Sequence, residues 1–354
     1  MTPVPTLTRQ ALQAILTLLA AALGGFGVQS LGVSAGWLVG AASTTILLVA
    51  LGLPVRVPAA LRDGAFVILG ISLGAGISPG FLALAAQNSV SFLMLALAII
   101  VIMAFNSWML VRFFGIDPAT AVVGTSPGAL SMTLALAESG FGDPRGVAIL
   151  QSMRLALIVT LLPVLIGLAG YGGDPSRLTS QAVMPPLQFL LVVLAATAAG
   201  FALSRLRSPA PYLIAGILVS SVSHATGYAH GAAPPMLLIA AIIGVGANIG
   251  TRFAGVTREE FIRHALGSIA ATFAAVLIAF GFAWLAAQLS GAQTSNVFFA
   301  YAPGAVEAMA ALAIALGVNP ALVAAHHILR IFLLMIGLPA AVTLMRRRWP
   351  HWQR

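Results

Sequence analysis

The stretch Gly124-Thr125-Ser126-Pro127-Gly128-Ala129-Leu130 has a counterpart in Ala300-Tyr301-Ala302-Pro303-Gly304-Ala305-Val306, and both lie inside long apolar segments. Proline removes a backbone donor and glycine loosens the turn, so each stretch leaves amides and carbonyls without helical partners. At membrane depth such groups are tolerated only where protein or a water-filled cavity satisfies them. The two stretches therefore predict two broken helices.

These stretches belong to an internal repeat with a constant spacing of 176 residues. In that register Arg154 matches Arg330, and Pro144 and Pro163 match prolines of the second copy. Such a spacing predicts two copies of one six-element unit. The copies occupy residues 1–170 and 186–345, separated by a linker at 171–185 and followed by a basic cytoplasmic tail at 346–354.

The composition excludes a soluble globular protein. Of the 354 residues, 60% are hydrophobic and only 7% are charged, whereas about a quarter of the residues in a soluble domain are charged. The net charge of +9 comes from arginines at segment ends and forms no continuous basic face, so we expect no direct nucleic-acid partner. Because the chain has no cysteine, disulfides, thiolate metal sites and cysteine nucleophiles are excluded.

A bilayer core of about 30 Å requires about 20 apolar residues per helical crossing. On this measure the chain has twelve apolar elements, several of them short. They fall near Ala11 to Leu31, Ala35 to Leu53, Gly64 to Ile77, Val90 to Val111, Pro118 to Ala137, Gly146 to Ala169, Pro186 to Leu203, Pro211 to Ser223, Pro234 to Ile249, Ala265 to Leu289, Asn296 to Leu316 and Ala321 to Leu344.

Arginine placement predicts how the copies are inserted, because short cytoplasmic loops retain arginine. If all twelve elements crossed, the seventh and ninth loops would carry five arginines outside. If the fifth and eleventh elements enter and leave on one side, every arginine-bearing connection is cytoplasmic except that of Arg177. Each copy then has five crossings. Because five is odd, the second copy begins at the opposite face of the membrane and is inverted relative to the first. We therefore expect an all-α polytopic inner-membrane protein with two inverted-topology repeats. It has about ten transmembrane helices, two re-entrant or broken Pro-Gly elements and cytoplasmic termini.

Arg154 and Arg330 lie about nine residues into their elements, which is about 13 Å along a helix and close to the midplane. A charge there costs at least about 2.5 kcal/mol unless it has a partner or a wet cavity. The pair could lock the bundle through an ion pair or a carbonyl clamp. Alternatively, it attracts an anionic group of a substrate.

Other polar residues near the breaks add candidates for ligand or ion binding. Glu307, whose counterpart is Ser131, could carry a coupling proton, help to hold a sodium ion, or serve as the counter-charge of an arginine. His326 shares a helix face with Arg330, and either His326 or His327 could shuttle protons or be a satisfied interior histidine. We expect no metal site and no cofactor. Asn248 could line the same binding cavity as the residues near the breaks, or it could belong to a face of small residues that packs against another helix.

Two broken segments at corresponding positions of two halves are the best sequence indication of a substrate site in a carrier. Structural kinks retained by duplication are the alternative. The predicted binding site consists of the break residues Ser126, Pro127, Gly128, Ser131, Pro303 and Gly304, together with Arg154, Asn248, Glu307, His326, His327 and Arg330.

With its repeated Pro-Gly-Ala elements and the paired Arg154 and Arg330, the chain resembles the membrane AbrB family of Gram-negative bacteria. That family is distinct from the small soluble DNA-binding regulator of the same name. The resemblance implies a regulator of gene expression, which would act indirectly here. A further label of the family, ammonia monooxygenase, implies metal-dependent oxidation, and no cysteine or clustered histidine supports it. The predicted arrangement, an inverted repeat with a re-entrant element, is also similar to that of sodium-coupled glutamate and citrate carriers.

These observations predict a protein that is not an enzyme and that transports a small, anionic organic solute by alternating access. A proton or a sodium ion would couple the transport, and the partners are the lipid bilayer and the solute. Assembly into a homo-oligomer is left open. The alternative is a membrane-embedded sensor that affects transcription through a partner protein, and an oxidase is a distant third.

Overall fold

The computed structural model describes residues 7–33, 35–75, 89–127, 130–168, 182–206, 208, 210–291 and 294–348. The regular secondary structure of this part of the chain is helical, and turns and loops connect the helices. One isolated bridge joins Val183 and Ala232. Its helices are α1 (Leu7–Ser30), α2 (Gly36–Ala50), α3 (Ala59–Ala75), α4 (Ser89–Phe114), α5 (Pro118–Thr125), α6 (Leu130–Glu138), α7 (Pro144–Leu168), α8 (Pro186–Arg205), α9 (Pro211–Ala225), α10 (Pro235–Thr251), α11 (Arg258–Ser290), α12 (Thr294–Tyr301), α13 (Val306–Ala315) and α14 (Pro320–Arg348).

Six of these helices are long and apolar enough to cross a membrane, and shorter apolar helices accompany them. The six lie within α1, α4, α7, α8, α11 and α14. Large apolar side chains are exposed along their surfaces, and on α1 the exposed fractions of Leu16, Leu19 and Leu23 are 56%, 57% and 72%. Such faces are stable against lipid and costly in water. The protein is therefore an all-α membrane protein.

The helices follow the predicted elements closely, and the differences occur at helix ends. Helix α11 begins at Arg258, seven residues before the predicted Ala265, because Thr257 and Glu260 form a capping box ahead of the apolar run. The fifth and eleventh elements are interrupted as expected. We call them the first broken element (residues 118–138, α5 and α6) and the second broken element (residues 294–315, α12 and α13).

The chain divides into two compact units, and each unit takes helices from both sequence copies. Unit 1 consists of residues 1–79, 159–255 and 310–320, and unit 2 of residues 80–158, 256–309 and 321–354. Helices α1 to α3 and α8 to α10 thus lie in unit 1, while α4 to α6 and most of α7, together with α11, α12 and α14, lie in unit 2. The division of the sequence into copies at 1–170 and 186–345 stays a prediction.

Within unit 1, glycines bring α3 and α9 into backbone contact. A Cβ atom built on Gly70 would lie 2.4 Å from the carbonyl oxygen of Leu213, and one on Gly74 would lie 2.5 Å from that of Ile217. The Ser220 hydroxyl donates to the Ile71 carbonyl across the same contact (2.8 Å). This is the close helix packing that small residues favour in membranes.

Within unit 2, the first broken element begins and ends at the same place. The Asp117 carboxylate caps α5 by accepting from the Thr120 amide (2.9 Å), and the Thr120 hydroxyl accepts from the amide of Asp143, which follows α6 (2.7 Å). Asp143 in turn caps α7 by accepting from the Gly146 amide (2.9 Å). An element that crossed the bilayer core would separate its two ends by about 30 Å.

Candidate functional site

The site is built around the two helix breaks. Helix α5 ends at Thr125 and α12 ends at Tyr301, and after each of them the chain passes through a proline, Pro127 or Pro303, before the next helix begins. The last carbonyls of a helix have no donor from a following turn, and proline supplies none. Each break therefore leaves carbonyl groups that need partners. Ser126 and Pro127 of the first break and residues 302–304 of the second are buried.

Arg154 of α7 provides these partners at the first break. Its Nη1 donates to the Thr125 carbonyl (3.1 Å), and its Nη2 donates to the Ser126 carbonyl (3.2 Å). The side chain is buried, with 8% of the residue exposed. A cation at the C-terminal end of a helix also interacts favourably with the helix dipole. Arg154 thus caps α5. These are the contacts of a carbonyl clamp, which was one of the predicted alternatives.

Arg330 of α14 does the same at the second break. Its Nη1 donates to the Ala302 carbonyl (2.8 Å), and its Nη2 donates to the Gly304 carbonyl and to Nδ1 of His327. Ala302 stands 176 residues after Ser126, so the two arginines bind an equivalent carbonyl in each copy. Arg330 is almost fully buried, with 1% exposed.

The residues that precede the arginines also make equivalent contacts. His327 donates from Nε2 to the Phe299 carbonyl (3.3 Å), which leaves its Nδ1 as the acceptor for Arg330. In the first copy, Gln151 donates from Nε2 to the Val123 carbonyl (3.4 Å). The two pairs are separated by 176 residues, so positions that match in the sequence register make similar hydrogen bonds.

Glu307 lies in the first turn of α13 and is half-buried. A carboxylate at this position is stabilised by the positive end of the helix dipole. Glu307 and Arg154 are both within electrostatic range of Arg330. Two positive charges and one negative charge are therefore brought together inside unit 2.

His326 does not bind Arg330, although the two residues are four positions apart. Its Nδ1 faces the Leu322 carbonyl (2.9 Å), and its Nε2 faces the Ser91 hydroxyl (2.8 Å). The hydroxyl of Tyr301 donates to the Ser91 carbonyl. His326 thus links α4 and α14 beside the end of α12, and it is His327, three positions from Arg330, that contacts the guanidinium.

The remaining predicted residues fall in different places. Ser126 is buried, and its hydroxyl makes no hydrogen bond within the part of the chain that the structure describes. Gly304 supplies a carbonyl to Arg330, and Asn248 belongs to α10 of unit 1. Gly128 and the side chain of Ser131 lie outside the described residues.

Sequence reasoning did not select Ser91, Tyr301 or Ser268 for the site. Tyr301 had a usable signal, because it immediately precedes a break and replaces Thr125 of the first copy. Ser91 binds His326 across 235 residues of sequence. Asn106 donates to the Ala271 carbonyl across 165 residues (2.9 Å). No local pattern predicts contacts of this kind.

Comparisons with known proteins identify the family of this chain. The chain is 28% identical to "Uncharacterized protein YhjN" of Bacillus subtilis (strain 168), over 90% of this chain and 89% of that protein. It is 26% identical to "Putative regulator AbrB" of Escherichia coli (strain K12), over 82% of this chain and 84% of that protein. The family model described as "Transition state regulatory protein AbrB" matches residues 37–346. This match covers most of the chain, and the protein therefore belongs to the membrane AbrB family.

Proposed function

We propose that this protein is a secondary transporter that moves a small, anionic organic solute by alternating access. The observation that carries the proposal is the pair of helix breaks in unit 2, each with a buried arginine bound to its carbonyls. In secondary carriers, discontinuous helices at corresponding positions of two repeats form the substrate site near the midplane. Irregular backbone at that depth is stable where it lines a cavity or is held by protein.

The charges near the breaks favour an anion. Arg154 and Arg330 contribute two positive charges, and Glu307 contributes one negative charge. The N-terminal ends of α6 and α13 add positive partial charges from their helix dipoles. A solute with a carboxylate would be attracted to this region. In the proposal, Glu307 carries the coupling through a proton or a sodium ion.

The first broken element supports the proposed topology. Because the chain on either side of it meets at Thr120, this element is best explained as re-entrant, with both ends at one membrane face. If the second broken element is also re-entrant, each copy has five crossings, and the second copy is inverted. We propose an inner-membrane location with both termini in the cytoplasm, as the arginine distribution favours.

Reconstitution into liposomes tests the proposal. Purified protein would be given a panel of labelled carboxylates, amino acids and ammonium analogues under an imposed proton or sodium gradient. We expect gradient-driven uptake of a carboxylate. Glu307→Gln should abolish accumulation of the solute driven by the proton or sodium gradient but retain exchange of solute across the membrane. Glu138→Gln, at the exposed end of α6, should behave as wild type. Absence of flux for every panel member would refute the transport function.

A second candidate is a membrane-embedded regulator that affects gene expression indirectly. It is favoured by the name of the Escherichia coli relative, which describes a regulator. Deletion of residues 346–354 separates the two functions: a regulator that signals through this basic tail would lose its transcriptional effect, while a carrier would keep its flux. An enzymatic role is not part of either proposal.

A further inference from the structure

A small polar cavity lies against Arg154, inside unit 2. Its volume is about 10 Å³, which is the space that one water-sized group needs. Polar residues from α4, α5, α7 and α11 line it, namely Asn106, Thr125, Arg154, Ser268 and Thr272. The cavity therefore lies immediately behind the first break, where Arg154 binds the Thr125 carbonyl.

Three of the lining residues hold polar atoms that make no hydrogen bond within the described part of the chain. These atoms are Oδ1 of Asn106, Oγ of Ser268 and Nε of Arg154. The three residues are 2%, 1% and 8% exposed. Native proteins rarely leave buried polar atoms unpaired, because each costs the full desolvation penalty of the group. Three residues with such atoms line one cavity, and we take this as the indication of a binding site.

In the second copy, larger residues stand at two of the positions equivalent to those that line the cavity. The positions that correspond to Thr125 and Leu150 in the 176-residue register are Tyr301 and His326. These larger rings lie 5.9 Å apart between their centroids, and the phenol and the imidazole both bind Ser91. Nε of Arg330 also makes no hydrogen bond within the described part of the chain, but its surroundings differ from those of Arg154, which lines the cavity.

The orientation of Asn106 determines which chemical group fits the cavity. Its Nδ2 donates to the Ala271 carbonyl (2.9 Å), so its Oδ1 is left as an acceptor. Arg154 Nε is a donor without acceptor capacity. A carboxylate oxygen would be repelled by the Asn106 oxygen, and a metal cation would be repelled by the guanidinium. A hydroxyl group satisfies both residues, since it accepts from Arg154 and donates to Asn106.

We propose that this cavity binds the hydroxyl group of the transported solute, which is therefore a hydroxylated organic anion. The inference rests on the transport function proposed above. It assigns Arg154 and its neighbours Asn106 and Ser268 to ligand recognition, and it assigns Arg330 to holding the second break. Ser268, whose hydroxyl can donate or accept, would supply a further hydrogen bond to the same group.

Binding of matched acid pairs to purified protein tests this assignment. The pairs differ by one hydroxyl: glycolate and acetate, lactate and propionate, malate and succinate, and any acid transported in liposomes with its deoxy analogue. Loss of one hydrogen bond inside a buried site lowers affinity about tenfold. We expect the wild-type protein to prefer at least one hydroxylated acid by about that factor, measured by titration calorimetry or by ligand-induced thermal stabilisation.

Two variants and a control connect that preference to the cavity. Ser268→Ala removes a hydroxyl that has no hydrogen-bond partner in the described part of the chain, so it should reduce the preference severalfold without loss of stability. Asn106→Leu should bring the ratio of the affinities for the hydroxylated and the deoxy acid close to one. Ser72→Ala is the control, because the Ser72 hydroxyl is in unit 1 and donates within its own helix, to the Ile68 carbonyl (3.1 Å).

The outcomes separate this inference from the transport function itself. If hydroxylated and deoxy acids bind and cross equally well, the cavity holds water and the inference is wrong, while transport stands. The inference is also wrong if the preference survives in Ser268→Ala and Asn106→Leu. If no acid of either kind binds or crosses, transport of an organic anion is refuted as well.

Discussion

Arg330 should contribute more to stability than Arg154, although the two occupy equivalent positions. Replacing Arg330 with Met removes three buried hydrogen bonds, those to the carbonyls of Ala302 and Gly304 and to Nδ1 of His327; the Ala302 carbonyl keeps a second donor, the Gly304 amide (2.8 Å). At about 1 kcal/mol for each hydrogen bond lost, the free energy of unfolding should fall by about 3 kcal/mol. Arg154→Met removes two hydrogen bonds, so its loss should be about 2 kcal/mol.

The measurement is unfolding by SDS in mixed detergent micelles, followed through the fluorescence of the five tryptophans. Arg263→Met is a suitable control because this arginine is exposed on the first turns of α11 and pairs with Glu259 on its own helix, and such surface pairs contribute little. The reasoning would be refuted if Arg330→Met unfolded like the wild-type protein, or if Arg154→Met lost more stability than Arg330→Met.

Three further predictions concern the frame around the site. Thr120→Val removes the hydroxyl that joins the two ends of the first broken element, so the same SDS titration should show a loss of about 1–2 kcal/mol; an unchanged midpoint would contradict the described junction. Gly70→Ala places a Cβ atom 2.4 Å from a backbone oxygen of α9 and should lower the free energy of unfolding by about 1–3 kcal/mol. Gly64→Ala on the same helix places its Cβ atom where nothing lies within 4 Å, so it should leave the stability unchanged. Because the chain contains no cysteine, Arg205→Cys and Arg252→Cys can each be labelled alone with a membrane-impermeant maleimide; both should react only from the cytoplasmic face, and periplasmic labelling would exclude the inverted arrangement.

The positions of the helices and of the breaks could be predicted from sequence because they depend on local properties. An apolar run of about 20 residues indicates a crossing, and Pro-Gly inside such a run indicates an interruption. The same reasoning showed that a guanidinium at midplane depth needs a partner, and carbonyl groups were among the partners considered. The structure identifies those carbonyls as the ones that the breaks themselves release.

Helix starts and long-range contacts were harder to predict, for two different reasons. The first turns of α11 are charged, so a hydropathy criterion starts that helix too late, although the Thr257 and Glu260 capping box was readable. Contacts such as that between Ser91 and His326 depend on how separate helices pack, and a single sequence carries no record of that packing. The cavity beside Arg154 is of the same kind, because it forms where four helices meet.

Both buried arginines hold main-chain oxygens of the breaks, and every amino acid provides such an oxygen. Mutations at positions 125, 126 and 302 can therefore change the side chain without removing the acceptor. This gives the break segments unusual freedom to diverge, as the replacement of Thr125-Ser126 by Tyr301-Ala302 already illustrates within one chain. Under the proposed transport function, related proteins could acquire new solute preferences by exchanging these side chains, while the guanidinium anchors and the backbone path stay the same.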